Sequence, residues 1–184
     1  MHFFVELTRQ QKGRIAEELA KVKFLSWGFE VYVPEVDERG IDLIARHPTT
    51  GCFYEVQVKG ATNNNYLYFK KVSVNSETKD RRLVCYIRLD DEPEQAFFLI
   101  PLSAWDGSNP LFPVYEYDKE GCSSAPEYGI SVSKKNDHFL APYRFDKTVS
   151  TLLGITEKNI SDESSMMQEI KPDTQHRPKK GQQC

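Results

Sequence analysis

From residue 40 to residue 59 the chain reads GIDLIARHPTTGCFYEVQVK, and the way this stretch folds back on itself decides the fold. Side chains on a strand point alternately to opposite faces. In Phe53 to Lys59, Glu55, Gln57 and Lys59 therefore share one face, while Tyr54, Val56 and Val58 share the other. Pro48-Thr49-Thr50-Gly51 suits a four-residue hairpin loop, because Pro is favoured early in a type I turn and Gly accepts positive φ at its end. That loop pairs His47 with Cys52. Counting along an antiparallel ladder then sets Ala45 opposite Tyr54 and Asp42 opposite Gln57, each pair on a common face. A carboxylate, a carboxamide and an ammonium thus converge on two strands that otherwise read as buried. Burying such groups costs free energy unless each finds a partner, so their convergence marks a candidate site.

The spacing resembles that of the PD-(D/E)xK nuclease superfamily, whose signature is an Asp at one strand and Glu-x-Lys or Gln-x-Lys on the next. Asp42 and Gln57-Val58-Lys59 match it. Upstream, Lys12-Gly13-Arg14-Ile15-Ala16-Glu17-Glu18, followed by Gly28-Phe29 and a strand, is similar to the helix-strand lead-in of archaeal Holliday-junction resolvases and Mrr-like restriction enzymes. In those families the helix carries a further acid. The spacing between Gly13 and Gly28 carries that role to Glu17, with the adjacent Glu18 as the alternative. The specific motifs span residues 12 to 60; beyond them, Leu83 to Leu89, Ala96 to Pro101 and Leu102 to Trp105 are similar in pattern to bacterial proteins of the same superfamily.

The resemblance implies a restriction-endonuclease-like sandwich and Mg²⁺ or Mn²⁺ held by Asp42, the Gln57 side-chain oxygen, the Val58 carbonyl and Glu17. It implies that Lys59 orients the attacking water or stabilises charge on the phosphate. The chain departs from the commonest pattern at Gln57, where many relatives carry Glu, and so lacks one negative charge at the site. Glu55 shares the face but sits farther from Lys59. Taken singly, Asp42 reads as a turn-capping carboxylate, Lys59 as a side chain snorkelling from a strand end, and Gln57 as a partner for a backbone group. Taken jointly, they favour a metal-dependent nuclease that hydrolyses phosphodiester bonds of nucleic acid, DNA first. The alternative is a catalytically inactive nucleic-acid-binding or protein-interaction module on the same fold.

With 184 residues, 39% hydrophobic and 28% charged, the chain suits one domain with a sizeable core. That domain is expected over residues 1–156, followed by a polar tail, 157–184, whose Ser, Asp, Gln, Lys and Pro content reads as disordered. Basic and acidic residues balance in the tail, so the net charge of −3 belongs to residues 1–156. This argues against a nucleic-acid binder working by bulk positive charge, though not against a local groove. Lys70, Lys71, Arg81 and Arg82 are candidate phosphate contacts, with a merely solvated face as the competing reading. The four cysteines form no Cys-x-x-Cys and the histidines no paired ligand motif, so neither structural zinc nor a disulfide framework is expected. Cys85, inside an apolar run, should be an inert buried thiol. No cleavable signal is evident in Met1 to Leu7 and no run reaches the roughly 20 apolar residues of a membrane span, so a cytoplasmic protein is expected. Cutting both strands of a duplex would favour a symmetric homodimer.

Thr8 to Trp27 reads as a helix with an apolar stripe of Ile15, Ala16, Leu19, Ala20, Val22 and Phe24, stopped by Gly28. Phe29 to Pro34 alternates as a strand, and the hairpin follows. Asn63 to Asn65 marks a turn before a strand over Tyr66 to Val74. Leu83 to Leu89 and Ala96 to Ile100, separated by a connection at Asp90 to Pro93, read as central or near-central strands. A helical turn at Ser103 to Trp105, a strand over Pro113 to Tyr117 and a closing helix over Phe145 to Leu153, before Gly154, complete the pattern. The pattern alone supports α/β or α+β: a mixed sheet flanked by helices.

Overall fold

A computed structural model describes residues 6–36, 39–62, 66–74, 77–89, 96–117, 123–133 and 135–155. The turn expected at 63–65, the connection at 90–93 and the tail from 157 lie outside the described residues. The first helix, α1 (Arg9–Ser26), starts where the Thr8 side chain accepts the Gln11 N–H and the Gln11 side chain accepts the Thr8 N–H, a reciprocal cap. It ends at Gly28, whose φ of +82° a side chain would disfavour. Ala16, Ala20 and Phe24 form its buried line. Val22, placed on the stripe by its apolar character, is 64% exposed, because two residues of helix turn it to the opposite side from Ala20 and Phe24.

The strands in chain order are β1 (Glu30–Tyr32), β2 (Leu43–Arg46), β3 (Phe53–Ala61), β4 (Tyr66–Lys70), β5 (Arg82–Arg88), β6 (Ala96–Pro101), β7 (Val114–Tyr115) and β8 (Glu127–Ser131). Five of them make one mixed sheet in the order β1-β2-β3-β5-β6, in which only β3 and β5 run parallel; the other three make a second sheet, β4-β8-β7. The hairpin has the expected register. Ala45 faces Tyr54, and the loop closes with the His47 N–H donating to the Cys52 carbonyl at 2.7 Å.

Several elements differ from the sequence reading. The strand expected to reach Val74 stops at Lys70, because its partner β8 begins at Glu127, just after Pro126, and the ladder has nothing beyond the Lys70–Glu127 pair. The chain continues as a 3-10 turn, Lys71–Ser73, whose first N–H donates to the Pro126 carbonyl at 2.8 Å. β6 lies at the sheet's edge, not near its centre, while β5 is flanked on both sides. β8 was not anticipated at all.

Ladder parity assigns the two faces of the main sheet. Val56, Val58, Gly60, Leu83, Cys85 and Ile87 face one way, and Gln57, Lys59, Ala61, Val84 and Tyr86 the other. α1 covers the first face so closely that a Cβ on Gly60 would lie 2.5 Å from the Ala16 Cβ. The second sheet packs on the opposite face, where Phe69, Ile130, Val84, Tyr86, Phe98 and Ile100 share one buried cluster. The Trp105 indole N–H donates to the Gly129 carbonyl at 2.7 Å within it. The second long helix, α2 (Phe145–Leu152), seats Phe145 edge-on against Phe24. The compact unit ends at Val149. Past it, the last described residues finish α2 and turn at Gly154, with φ of +67°. No described helix is long and apolar enough to cross a membrane.

Candidate active site at the open edge of a strand

β2 begins at Leu43, opposite Val56, whereas β3 continues to Ala61, so among the described residues the edge of β3 facing β2 has no neighbouring strand from Val58 onward. Asp42 fills the first part of the gap. Its N–H donates to the Val56 carbonyl at 3.0 Å, and its carboxylate accepts the Val58 N–H at 2.6 Å. The carbonyl of Val58, on the same side of the strand as its N–H, points to the same open edge. A charged acceptor on a backbone donor is a strong hydrogen bond, and it locks the Asp42 carboxylate to the strand bearing Gln57 and Lys59.

A cleft of about 680 Å³ opens here. Arg9, Lys12 and Glu17 of α1 form one wall, Asp42 with residues 57–61 the floor, and Tyr66 to Lys70 of β4 the other wall. Six of the expected residues thus come together: Glu17, Asp42, Gln57, Val58, Lys59 and Lys70. Lys12 reaches across to the end of β3, its ammonium donating to the Thr62 hydroxyl at 3.2 Å. Of the two candidate helix acids, Glu17 lines the cleft. Glu18 does not; half-exposed, it pairs with Arg14 at 2.8 Å and Lys21 at 3.0 Å.

Gln57 is 7% exposed, and its side-chain carbonyl oxygen is buried with no hydrogen-bond partner. Buried acceptors normally have a donor, so this oxygen registers an unmet demand. The amide nitrogen lies against Gly40, where a Cβ would come within 2.9 Å of it; Gly40 also sits at φ +61°. The glycine of Gly40-Ile41-Asp42 therefore suits the backbone, and a side chain there would have to displace the Gln57 amide.

Arg82 corrects the sequence reading. Expected on the surface as a phosphate contact, it is fully buried. It opens β5 on the same face as Val84 and Tyr86, so its side chain enters the interior. Its guanidinium donates to the Gly40 carbonyl at 2.6 Å, to the Arg39 carbonyl at 3.2 Å and to Glu55 at 3.3 Å. The Thr78 hydroxyl donates to the same Glu55 oxygen at 3.1 Å. Glu55 is thereby engaged with Arg82 and does not join Asp42, and the segment leading into Asp42 is clamped from inside. Sequence reasoning missed this role. The signal was an inward-facing Glu55 beside a basic residue at the start of the next strand.

Two other basic candidates also stand apart. Lys71 pairs with Glu116, and Arg81 is exposed on a turn away from the cleft lining. Cys85 is fully buried, and burial pushes its thiol up to about 12, consistent with an inert side chain; Cys52 is exposed.

The groups that could hold a cation are all oxygens: the Asp42 and Glu17 carboxylates, the partnerless Gln57 amide oxygen and the Val58 carbonyl. Such hard donors suit Mg²⁺ or Mn²⁺, and an orphaned buried oxygen on a residue lining the same cleft as Asp42 is what a bound cation would satisfy. Among the described residues no three of His, Cys, Asp and Glu cluster, so the charge available comes from two carboxylates at most.

No protein-family model and no curated protein matches the chain. Among solved structures, Hjc, a Holliday junction resolvase from the archaeal hyperthermophile Archaeoglobus fulgidus, superposes with a TM-score of 0.50 at 12% identity, covering 79% of this chain and 98% of that one. A bacterial homing endonuclease, I-Ssp6803I, superposes with a TM-score of 0.44 at 18% identity, covering 86% and 98%. With its mixed sheet, the chain has the restriction-endonuclease-like fold that the resolvase shares.

Proposed function

We propose that this protein hydrolyses phosphodiester bonds of nucleic acid, DNA before RNA, with the help of a divalent cation. The observation that carries the reading is that Asp42, held on the Val58 N–H, Gln57, with its partnerless oxygen, and Lys59 all line one cleft. Asp42, Gln57, the Val58 carbonyl and Glu17 would hold Mg²⁺ or Mn²⁺. When bound, the ion supplies a Lewis acid that acidifies water and offsets charge on the phosphate. The chain's own residues position and stabilise. Asp42 is fixed by the Val58 N–H and, through Gly40, by buried Arg82. Lys59, two residues from Gln57 on the same face, donates to the attacking water or to a phosphate oxygen as negative charge builds. Arg9, Lys12 and Lys70 around the cleft suit a polyanionic backbone. DNA stands first because the fold is shared with a protein named for acting on a DNA junction.

One observation favours the second reading, a noncatalytic nucleic-acid-binding module on the same fold: the site offers few carboxylates for a divalent ion. The discriminating experiment incubates linear, branched and single-stranded DNA, and RNA, with Mg²⁺ or Mn²⁺ against chelator. It compares wild type with Asp42→Ala and Lys59→Ala, and follows thermal stability in parallel. Metal-dependent cleavage is expected in wild type, with each variant reduced at least about 100-fold, the scale of one lost electrostatic group. No cleavage, together with no Mg²⁺-dependent stabilisation, would give the site to the second reading.

A further inference from the structure

The second sheet has one face in the core and one outward face dominated by tyrosine. Leu67 and Phe69 of β4, Tyr128 and Ile130 of β8 and Val114 of β7 point inward. By the same alternation Tyr66, Tyr68 and Lys70 point outward with Tyr115 of β7. Tyr66 is 44% exposed, Tyr68 51% and Tyr115 44%, and Tyr66, Tyr68 and Lys70 are also a wall of the cleft.

The rings form one array. Those of Tyr66 and Tyr68 lie nearly parallel, 18° apart with centroids at 6.2 Å; Tyr115 meets Tyr66 edge-on at 6.2 Å and stacks with Tyr117 at 5.8 Å. Three features hold them. Gly129 leaves room for the Tyr66 ring, since a Cβ there would lie 2.6 Å from the Tyr66 hydroxyl oxygen. Glu127, 8% exposed, accepts the hydroxyls of Tyr66 at 2.6 Å and Tyr117 at 2.9 Å on a single carboxylate oxygen. Tyr117 adopts φ +55°, an arrangement a non-glycine residue keeps only where its surroundings impose it. A row of exposed, oriented rings with a lysine in line is poorly explained as a solvated sheet face, where charged and small polar residues serve better.

We propose that this face is a stacking platform for unpaired bases, so that the cleft takes a single DNA strand, or a strand splayed from a duplex, in preference to intact duplex. Aromatic faces bind successive bases through their π-surfaces, which paired and stacked bases of a duplex do not offer. Lys70 continues the row, and Arg9, Lys12 and Lys59 line the same cleft, where a strand's phosphates would meet positive charge. This locally basic lining on a chain of net charge −3 makes a polyanion with exposed bases a fitting occupant for a cleft that joins lysines to aromatic rings. The inference rests on the nucleic-acid reading of the cleft and names the form of substrate.

The test is binding in chelator, so that no cleavage intervenes, of a fluorescein-labelled DNA strand of about 15 nucleotides, long enough for such a groove, and of its blunt duplex. Wild type, Tyr68→Leu, Tyr68→Phe and Tyr115→Leu are compared, each first checked for an unchanged melting temperature. The strand is expected to bind at least about 10-fold more tightly than the duplex. Each leucine variant should weaken strand binding by roughly 5- to 150-fold, the scale of one stacked base, while Tyr68→Phe retains it and duplex binding does not move. Equal or tighter binding of duplex, no binding of the strand, or leucine variants that bind like wild type would overturn the proposal. Strand binding without metal-dependent cleavage of any substrate would uphold the platform and remove the nuclease reading. Metal-dependent cleavage of duplex with an indifferent platform would do the reverse.

Discussion

At Gln57 a buried amide oxygen has no hydrogen-bond partner, and in the proposed cation site a further carboxylate at this position would strengthen the hold on the ion. Gln57→Glu is therefore the informative substitution. In chelator it sets a buried carboxylate near Asp42, and the desolvated like charges should cost about 1–3 kcal/mol. With Mg²⁺ the same variant should regain that loss and show a larger metal-induced rise in melting temperature than wild type, because a ligand selective for the folded state stabilises it by mass action. A metal response no larger than wild type would mean that Gln57 does not face the ion. Arg82 sits one layer further in. Arg82→Ala removes the partner of Glu55 and the donor to Gly40, and should destabilise by about 3 kcal/mol in denaturant unfolding. Arg82→Lys should recover little, since an ammonium cannot reproduce a planar fork serving two carbonyls and a carboxylate. Full stability in Arg82→Lys would show that charge alone suffices there. Asp42, Gln57 and Lys59 were legible because period-two alternation and a four-residue loop fix which residues share a face. Arg82 was not, because a basic residue at the head of a strand looks the same from sequence whether it faces water or a buried glutamate.

At the scale of elements, what was legible is what is local. α1 carries its own start signal at Thr8 and stop at Gly28, and the hairpin its own loop, so both appear where the sequence placed them. β8 escaped because Glu-Tyr-Gly-Ile-Ser has a glycine at its centre and a glutamate at its head, and acquires its role only by pairing with β4, where Tyr66 and Glu127 are 61 residues apart in the chain. The end of β4 escaped with it. The junction of α1 with β3 is testable directly. A Cβ on Gly60 would lie 2.5 Å from the Ala16 Cβ and 3.2 Å from the Lys12 carbonyl, and the latter, being helix backbone, cannot swing aside. Gly60→Ala should therefore push α1 outward, costing about 1–3 kcal/mol as overpacking does, and lower activity by carrying Glu17 and Lys12 away from the cleft floor. Adding Ala16→Gly should return part of the stability despite the roughly 1 kcal/mol cost of a helix-interior glycine. Chemical denaturation of both singles and the double closes the cycle. Additive losses would show that the two residues do not meet.

For the molecule as a whole, the net charge of −3 gives no long-range attraction for a polyanion, so in the proposed reading affinity would come from a few cations at the cleft: Arg9, Lys12, Lys59 and Lys70. Counterion release then sets a measurable bound. If each of the four neutralises one phosphate, log affinity for a single strand should fall with log salt at a slope of about −3, at roughly −0.7 per phosphate. Lys70→Ala should make that slope shallower by about 0.7 and weaken binding without regard to base sequence. Tyr68→Leu, which removes stacking and no charge, should weaken binding at every salt concentration while leaving the slope where it was. The two variants together separate the phosphate contribution from the base contribution on one titration axis. A slope much steeper than −3 would mean that phosphates are met outside this cleft, by basic groups such as Arg81 or by a second copy of the chain, and the geometry of a single strand running between α1 and β4 would then have to be abandoned.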